Sequence, residues 1–295
     1  MKKINIYRLD VGSCNGCDIE VFSAVASRFG MKELGAKIVD DPSEANVLLV
    51  TGVPTVKMQK VLEQVRGKLK NPGLVIAVGA CALAGEAFED SYSVDGMVDE
   101  VVDVDVYVPG CPPSPHAIIG ALSEALGVEP KAAKVPQGFR GFPQVDAEKC
   151  TACGACVQVC PTSAIELAEQ GSNRIVKFIY EKCVSCAICE EACPEDAIEL
   201  PPERPPATSD RKTIGTSAEV RLAKCEGCGT LFAPERQLES VLERIVSDVK
   251  EYEKLRDSLR QAMALCPKCR ASVPRAEEAK TLLSQLNDEV TELKG

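Results

Sequence analysis

The sequence predicts an α/β N-terminal domain with a parallel sheet, a small α+β module after it, and a helical C-terminal segment closed by paired cysteines. Three observations carry that expectation. Short β-rich runs alternate with helix-like stretches over residues 1–128, the pattern of a parallel sheet covered on both faces. A cysteine motif of eighteen residues beginning at Cys150 returns at Cys183. Two Cys-x-x-Cys pairs, Cys225/Cys228 and Cys266/Cys269, flank an amphipathic stretch. The implied boundaries are 1–134, 135–205 and 206–295.

The strand-like runs of the first domain are Ile4–Leu9, Val47–Gly52, Leu74–Gly79 and Val104–Pro109. The second and third are nearly all apolar, as strands buried on both faces should be. Helices are expected near 19–30, 55–69 and 114–126. Proline- and glycine-rich linkers follow at Val135–Pro143 and Pro201–Pro206. Between the C-terminal cysteine pairs, Leu238, Leu242, Ile245, Val249, Tyr252, Leu255 and Leu259 recur at spacings of three and four, one apolar helix face. Leu282, Leu286, Val290 and Leu293 repeat the pattern in the tail. Both stripes read as core or partner contact.

Of 295 residues, 44 are acidic and 34 basic, a net charge of −10. That argues against a nucleic-acid partner, since such proteins are usually basic. No apolar run approaches the ~20 residues of a membrane span, and the start, Met1-Lys2-Lys3-Ile4-Asn5, is too quickly polar for a secretory signal. The expected location is cytoplasmic. The sixteen cysteines are therefore unsuited to disulfides, which are rare in the cytosol. Their pairs and runs have metal-ligand spacing, and sixteen divides into four sets of four thiolates.

The two repeats, CTACGACVQVCPTSAIEL and CVSCAICEEACPEDAIEL, share nine of eighteen positions at a period of 33. Each reads Cys-x-x-Cys-x-x-Cys-x-x-x-Cys-Pro. In a bacterial-type ferredoxin module with two [4Fe–4S] clusters, three cysteines wrap one cubane and the fourth ligates the other. Cys150, Cys153, Cys156 and Cys193 are expected to hold one cluster, and Cys160, Cys183, Cys186 and Cys189 the second. Pro161 and Pro194 turn the chain after each crossing ligand.

Four further cysteines, Cys14, Cys17, Cys81 and Cys111, each follow a predicted strand. Open α/β sheets bind ligands outside the carboxyl ends of their strands, so a third [4Fe–4S] cluster is expected there. Gly12, Gly16, Gly79 and Gly110 would let backbone approach it. The stretches Cys14-Asn15-Gly16-Cys17-Asp18-Ile19-Glu20, Gly79-Ala80-Cys81-Ala82 and Val106-Tyr107-Val108-Pro109-Gly110-Cys111-Pro112-Pro113 resemble the small subunit of energy-converting, group 4-type [NiFe] hydrogenases and its relative in respiratory complex I. The resemblance covers about residues 3–127. It implies a flavodoxin-like domain whose cluster lies nearest the active site of a separate large subunit. The complex I relative has adjacent cysteines at the first motif, whereas this chain has Cys-x-x-Cys, the hydrogenase pattern, which membrane-bound sulfane reductases share.

By the same resemblance Glu20 becomes a candidate proton relay; the alternative is a favourable interaction with a helix N-terminus. His116, the single histidine, reads as a surface residue at a helix start. No nucleophile–base pair or phosphate loop is expected, so no catalytic residue is assigned to this chain.

Cys225, Cys228, Cys266 and Cys269 read as a zinc ribbon with one tetrahedral site, iron being the alternative. This end resembles the tail of the ferredoxin-like subunit of formate hydrogenlyase complexes. Together the resemblances imply an oxidoreductase subunit carrying three [4Fe–4S] clusters and one zinc. Its implied partners are a [NiFe]-type large subunit, membrane-embedded subunits that would hold it on the inner face of the membrane, and ferredoxin or a formate dehydrogenase as redox partner. The alternatives are a nickel-free complex I-like quinone or sulfane oxidoreductase, and a free-standing electron carrier.

Overall fold

The computed structural model describes residues 3–26, 29, 31–70, 72–88, 90–127, 140–203, 208–210, 214–248 and 256–272. The linker residues 135–139 and 204–206, Val249, Tyr252 and Leu255 of the apolar stripe, and the whole tail stripe lie outside them. The chain divides into two compact units. One comprises Met1–Lys149, Gly154–Leu167 and Val176–Ala218, the other Cys150–Cys153, Ala168–Ile175 and Glu219–Gly295.

The first unit is built on a five-stranded parallel sheet of order β2-β1-β3-β4-β5. Its strands are β1 (Ile4–Asp10), β2 (Ala36–Ile38), β3 (Val47–Thr51), β4 (Leu74–Val78) and β5 (Val106–Val108). This is the flavodoxin-like order, with its switch point between β1 and β3. Helices α1 (Gly16–Ala24), α2 (Val56–Lys68), α3 (Ala80–Ala84), α4 (Val98–Val101) and α5 (Pro115–Ala125) connect the strands.

Successive residues of a strand point to opposite faces, and both faces of this sheet are buried. Val47, Leu49, Ile76 and Val78 join Val21 of α1 and Ile118 and Leu122 of α5 in one core. Leu48, Val50, Val75 and Ala77 join Leu62 and Val65 of α2 in the other. Each fully buried side chain of this kind contributes about 1.5–3 kcal/mol, which is why the central strands are apolar throughout.

Strand β2 was not expected. It is three residues long at the sheet edge, paired in parallel with Ile4–Ile6 of β1, too short to leave a pattern. Helix α1 begins at Gly16 rather than near 19, because Asn15 takes a left-handed conformation (φ 68°) and turns the chain into it.

His116 is buried, at 5% exposure, against the expectation of a surface position. Helix α5 starts as Ser114-Pro115 suggest, with Ser114 Oγ accepting from the Ala117 N–H at 3.3 Å. Yet the helix is apolar nearly all round, and such helices sit inside. The imidazole meets the Phe29 ring edge-on at 5.0 Å.

After the sheet domain come β6 (Gln144–Val145), α6 (Ala155–Val159), β7 (Ile165–Gln170), β8 (Asn173–Ile179), α7 (Ile188–Glu191) and β9 (Ile198–Glu199). Strands β6 and β9 pair antiparallel. Phe142 packs on Tyr180 at 4.7 Å between ring centroids. The Tyr180 hydroxyl donates to the Pro143 carbonyl at 2.8 Å, and burial pushes its pKa up to about 12.

A sheet of order β11-β10-β8-β7 includes β10 (Gly215–Lys224) and β11 (Leu231–Pro234); residues 219–224 of β10 and all of β11 belong to the second unit. Helix α8 (Glu235–Asp248) follows β11 directly; α9 (Arg256–Met263) and α10 (Pro267–Ser272) come later. On α8, Leu242 and Val246 are buried while Leu238 and Ile245 are half-buried. Arg256 grips both oxygens of Glu243 at 2.9 Å.

Candidate metal and cluster sites

Cys14 and Cys17 come from the β1–α1 loop and the first turn of α1, Cys81 from α3 after β4, and Cys111 from the loop after β5. All four are free thiols past the carboxyl ends of parallel strands. Burial pushes Cys17 far up, and the neighbouring Cys81, Cys111 and Cys14 push it further. Burial, then Cys111 and Cys14, raise Cys81 to about 11. Cys111 is raised by burial and then by Cys14. Every pair of the four is thus close enough to couple electrostatically. Thiolates so crowded repel one another, and a cationic metal core would relieve that repulsion.

Gly79 makes room for this arrangement. Its φ is +94°, and a Cβ there would collide with Cys17 Sγ. The expectation for the other glycines is only partly met. Gly16 lies at ordinary contact distance from Cys14 Sγ, while Gly12 faces the Val53 carbonyl and Gly110 faces Pro113. The last two serve backbone packing within the loops.

Glu20 lies in the second turn of α1, and Asp18 occupies the first turn instead. Asp18 is a buried residue that the motif alone did not single out. Its carboxylate pairs with Arg8 and accepts hydrogen bonds from Ser13 Oγ at 2.6 Å and Thr51 Oγ1 at 2.9 Å. Burial alone would push its pKa up, but the bonds from Ser13, Arg8 and Thr51 outweigh it and hold the carboxyl below its usual value. Arg8 also stacks over Phe22, 5.2 Å from its centroid. Around this loop Ile19 is 63% and Phe22 53% exposed.

Cys160, Cys183, Cys186 and Cys189 line one pocket, together with Ala187, Ile188 and Leu200. Burial raises Cys183 to about 12, with Cys189, Cys160 and Cys186 adding to it. Burial and then Cys186 raise Cys189 to about 11, with Cys160 adding.

The two repeats have the same local backbone. Left-handed residues recur at a spacing of 33: Ala152 (φ 52°) with Ser185 (53°), Gly154 (82°) with Ala187 (69°), and Ser163 (51°) with Asp196 (47°). The first and third curls of each repeat accompany an N–H aimed at a sulfur. Ala152 donates to Cys150 Sγ and Ser185 to Cys183 Sγ, both at 3.4 Å. Ala164 donates to Cys160 Sγ at 3.2 Å and Ala197 to Cys193 Sγ at 3.3 Å. Such bonds stabilise thiolate charge and tune the potential of a ligated cluster.

At the C-terminal end, the sulfurs of Cys225, Cys228, Cys266 and Cys269 all lie within 4.8 Å of one another, although 37 residues separate the two knuckles. Cys228 Sγ and Cys266 Sγ are 3.7 Å apart. A tetrahedral site with Zn–S of about 2.3 Å has S–S edges of about 3.8 Å, so the thiol set fits zinc. The Cys266 N–H donates to Cys225 Sγ at 3.2 Å and is the main cause of a Cys225 pKa lowered to about 6.

Among the described residues no helix is long and apolar enough to cross a membrane. Residues 14–125 match the NADH ubiquinone oxidoreductase 20 kDa subunit family, and residues 143–200 match a 4Fe-4S dicluster domain. An uncharacterized protein of Methanocaldococcus jannaschii is 42% identical over 131 residues, covering 44% of this chain and 86% of that protein. Formate hydrogenlyase subunit 7 of Escherichia coli is 40% identical, over 43% of this chain and 52% of its own length. The probable membrane-bound hydrogenase subunit of Pyrococcus furiosus is 39% identical, over 45% of this chain and 78% of its own length. The chain belongs to the NADH ubiquinone oxidoreductase 20 kDa subunit family and carries a 4Fe-4S dicluster domain in the same polypeptide.

Proposed function

We propose that this chain is the electron-transfer subunit of a membrane-associated [NiFe] hydrogenase complex, passing electrons between a partner's Ni–Fe centre and an external donor or acceptor. The observation that carries the reading is the gathering of Cys14, Cys17, Cys81 and Cys111 at the strand ends of the family-matched domain, in one polypeptide with a dicluster module.

Cys14, Cys17, Cys81 and Cys111 would hold the cluster that faces the partner. The repeat cysteines would hold two more, with ligand sets as the spacing assigns them. The C-terminal four would hold zinc. When bound, [4Fe–4S] clusters supply one-electron transfer at potentials set by their surroundings.

The residues of the chain determine those surroundings. Gly79 leaves space for Cys17, and four peptide N–H groups on Cys150, Cys160, Cys183 and Cys193 favour the more negative state. The Asp18–Arg8 pair fixes the first turn of α1. Because Asp18 occupies that turn, a helix-terminus role for Glu20 is weakened, since that effect fades beyond one turn. Glu20, half-buried on the same helix as Cys17, is the proton-relay candidate that the resemblance implies. The exposed apolar pair Ile19 and Phe22 suits burial against a large subunit.

A second reading, a nickel-free complex I-like assembly, is favoured by the description of the matched family. Purification of the native complex separates the readings. Nickel at about one per complex supports the hydrogenase, by the metal requirement of that chemistry. A partnered chain without nickel supports the second reading, and an unpartnered chain with full clusters supports a free carrier.

A further inference from the structure

Arg236 stands in the first turn of α8, and its Nη1 donates to the carbonyl oxygen of Cys150 at 2.9 Å, in a partly buried setting. Both residues belong to the second compact unit. Cys150 opens the first ferredoxin repeat, whereas Arg236 lies beyond the first zinc knuckle in the sequence. The chain from that knuckle to the arginine is short and fully structured. The Thr230 carbonyl accepts the Cys225 N–H at 2.9 Å, and the Gly229 N–H closes onto the Cys225 carbonyl at 2.8 Å. Strand β11 then runs into α8 without a linking residue.

The second knuckle is tied to the first by more than thiols. The Glu226 N–H donates to the Ala264 carbonyl at 3.1 Å. Fixing Cys225, Cys228, Cys266 and Cys269 around one ion therefore fixes the start of α8.

The other repeat is furnished differently. There Arg140 Nη1 reaches the carbonyl of Cys186, not of the first cysteine Cys183, at 3.2 Å and in an exposed position. A cation acts more strongly where water is partly excluded, and exposed charges are screened by salt. Two modules with one backbone thus carry unequal charge environments.

We propose that the C-terminal four-thiol site is a metal-dependent redox modulator. Its metal seats Arg236 on the carbonyl of Cys150 and so raises the reduction potential of the cluster that Cys150 ligates above that of its repeat-related twin. The step is electrostatic. Reduction adds one electron to a cluster that is already anionic, and a nearby guanidinium favours the more negative state. This rests on the ligand reading under Proposed function and goes beyond it, since a purely structural zinc would leave the potentials alone.

The test is a mediated redox titration of the full chain, purified anaerobically and followed by electron paramagnetic resonance. The samples are the wild type, Arg236→Gln and Arg236→Lys, each before and after zinc chelation. Arg236→Gln is expected to change the reduced-to-oxidised ratio of one cluster about tenfold at fixed potential, about 59 mV downward for a one-electron couple. The other clusters should keep their potentials, and Arg236→Lys should retain most of the wild-type value. Chelation should reproduce the shift in the wild type and add nothing in Arg236→Gln, the non-additivity of a shared path.

Three loaded clusters with unchanged potentials in Arg236→Gln would overturn the inference alone. A chelation shift that persists undiminished in that variant would do the same. Iron too low for two repeat clusters in the wild type would overturn the ligand reading and the inference together. Where Arg236→Gln fails to load iron, chelation of the wild type and of Arg236→Lys decides: a downward shift of one cluster supports the proposal and its absence refutes it.

Discussion

Asp18, the residue after Cys17, is ion-paired with Arg8 of β1 while Ser13 and Thr51 fill its remaining bonding positions. Asp18→Ala would leave Arg8 without this carboxylate. Hydrogen bonds to charged groups and half-buried pairs of this kind are worth about 2–4 kcal/mol when one side is removed, and denaturant unfolding should show that loss. The native pKa lies below the unfolded value. The pair therefore stabilises fully above about pH 4, the unfolded carboxyl range, and the contribution fades as pH falls through the native value. Asp18→Asn should show a flatter acid limb than the wild type.

Gly79→Ala should cost the N-terminal cluster. The added methyl would collide with Cys17 Sγ, in a backbone conformation with φ +94°, so the sulfur must move. Iron per chain should fall by about four, one cubane, while zinc is unchanged.

Much of this fold was open to reading from the sequence. The apolar runs Val47–Gly52 and Leu74–Gly79 read as buried parallel strands, and the structure has strands at Val47–Thr51 and Leu74–Val78; Ser114-Pro115 marked a helix start that the structure keeps. The three-residue β2 was not legible, since its place is fixed by pairing with β1 and not by its own pattern. Strand β10 carries its own signal in the sequence: Ala218, Val220 and Leu222 alternate with outward residues. The four-thiol knot was legible despite its long insertion because Cys-x-x-Cys is a local signature. The burial of Asp18 and His116 was not, because each depends on partners distant in sequence: Thr51 and Arg8 for one, Phe29 for the other.

Crossed ligation in the repeats is testable with Cys160→Ala. Cys160 belongs to the first repeat in sequence, yet it lines the cavity of Cys183, Cys186 and Cys189 from the second. The variant should lose the cluster built on those three cysteines and keep the one built on Cys150, a loss that iron analysis and paramagnetic resonance both read. Loss of the other cluster alone would show uncrossed ligation, and retention of both would show that Cys160 ligates neither.

Zinc binding should depend on pH through the four thiols together: hydrogen bonds lower Cys225 and Cys228, while the neighbouring thiols raise Cys269. Binding should release protons, and acidification should favour release of the metal, because thiolate sites lose metal on protonation. A colorimetric chelator reads the release directly. Cys266→Ser should weaken binding at pH 7 and loosen the C-terminal unit to proteolysis.

The most direct test of the central claim is iron and zinc content per chain in anaerobically purified protein, with paramagnetic resonance of the reduced sample. The account predicts about twelve iron atoms in three cubanes and about one zinc. About eight iron atoms or fewer in intact wild-type protein, the content of two cubanes, or the assigned cluster thiols found joined as disulfides, would contradict it.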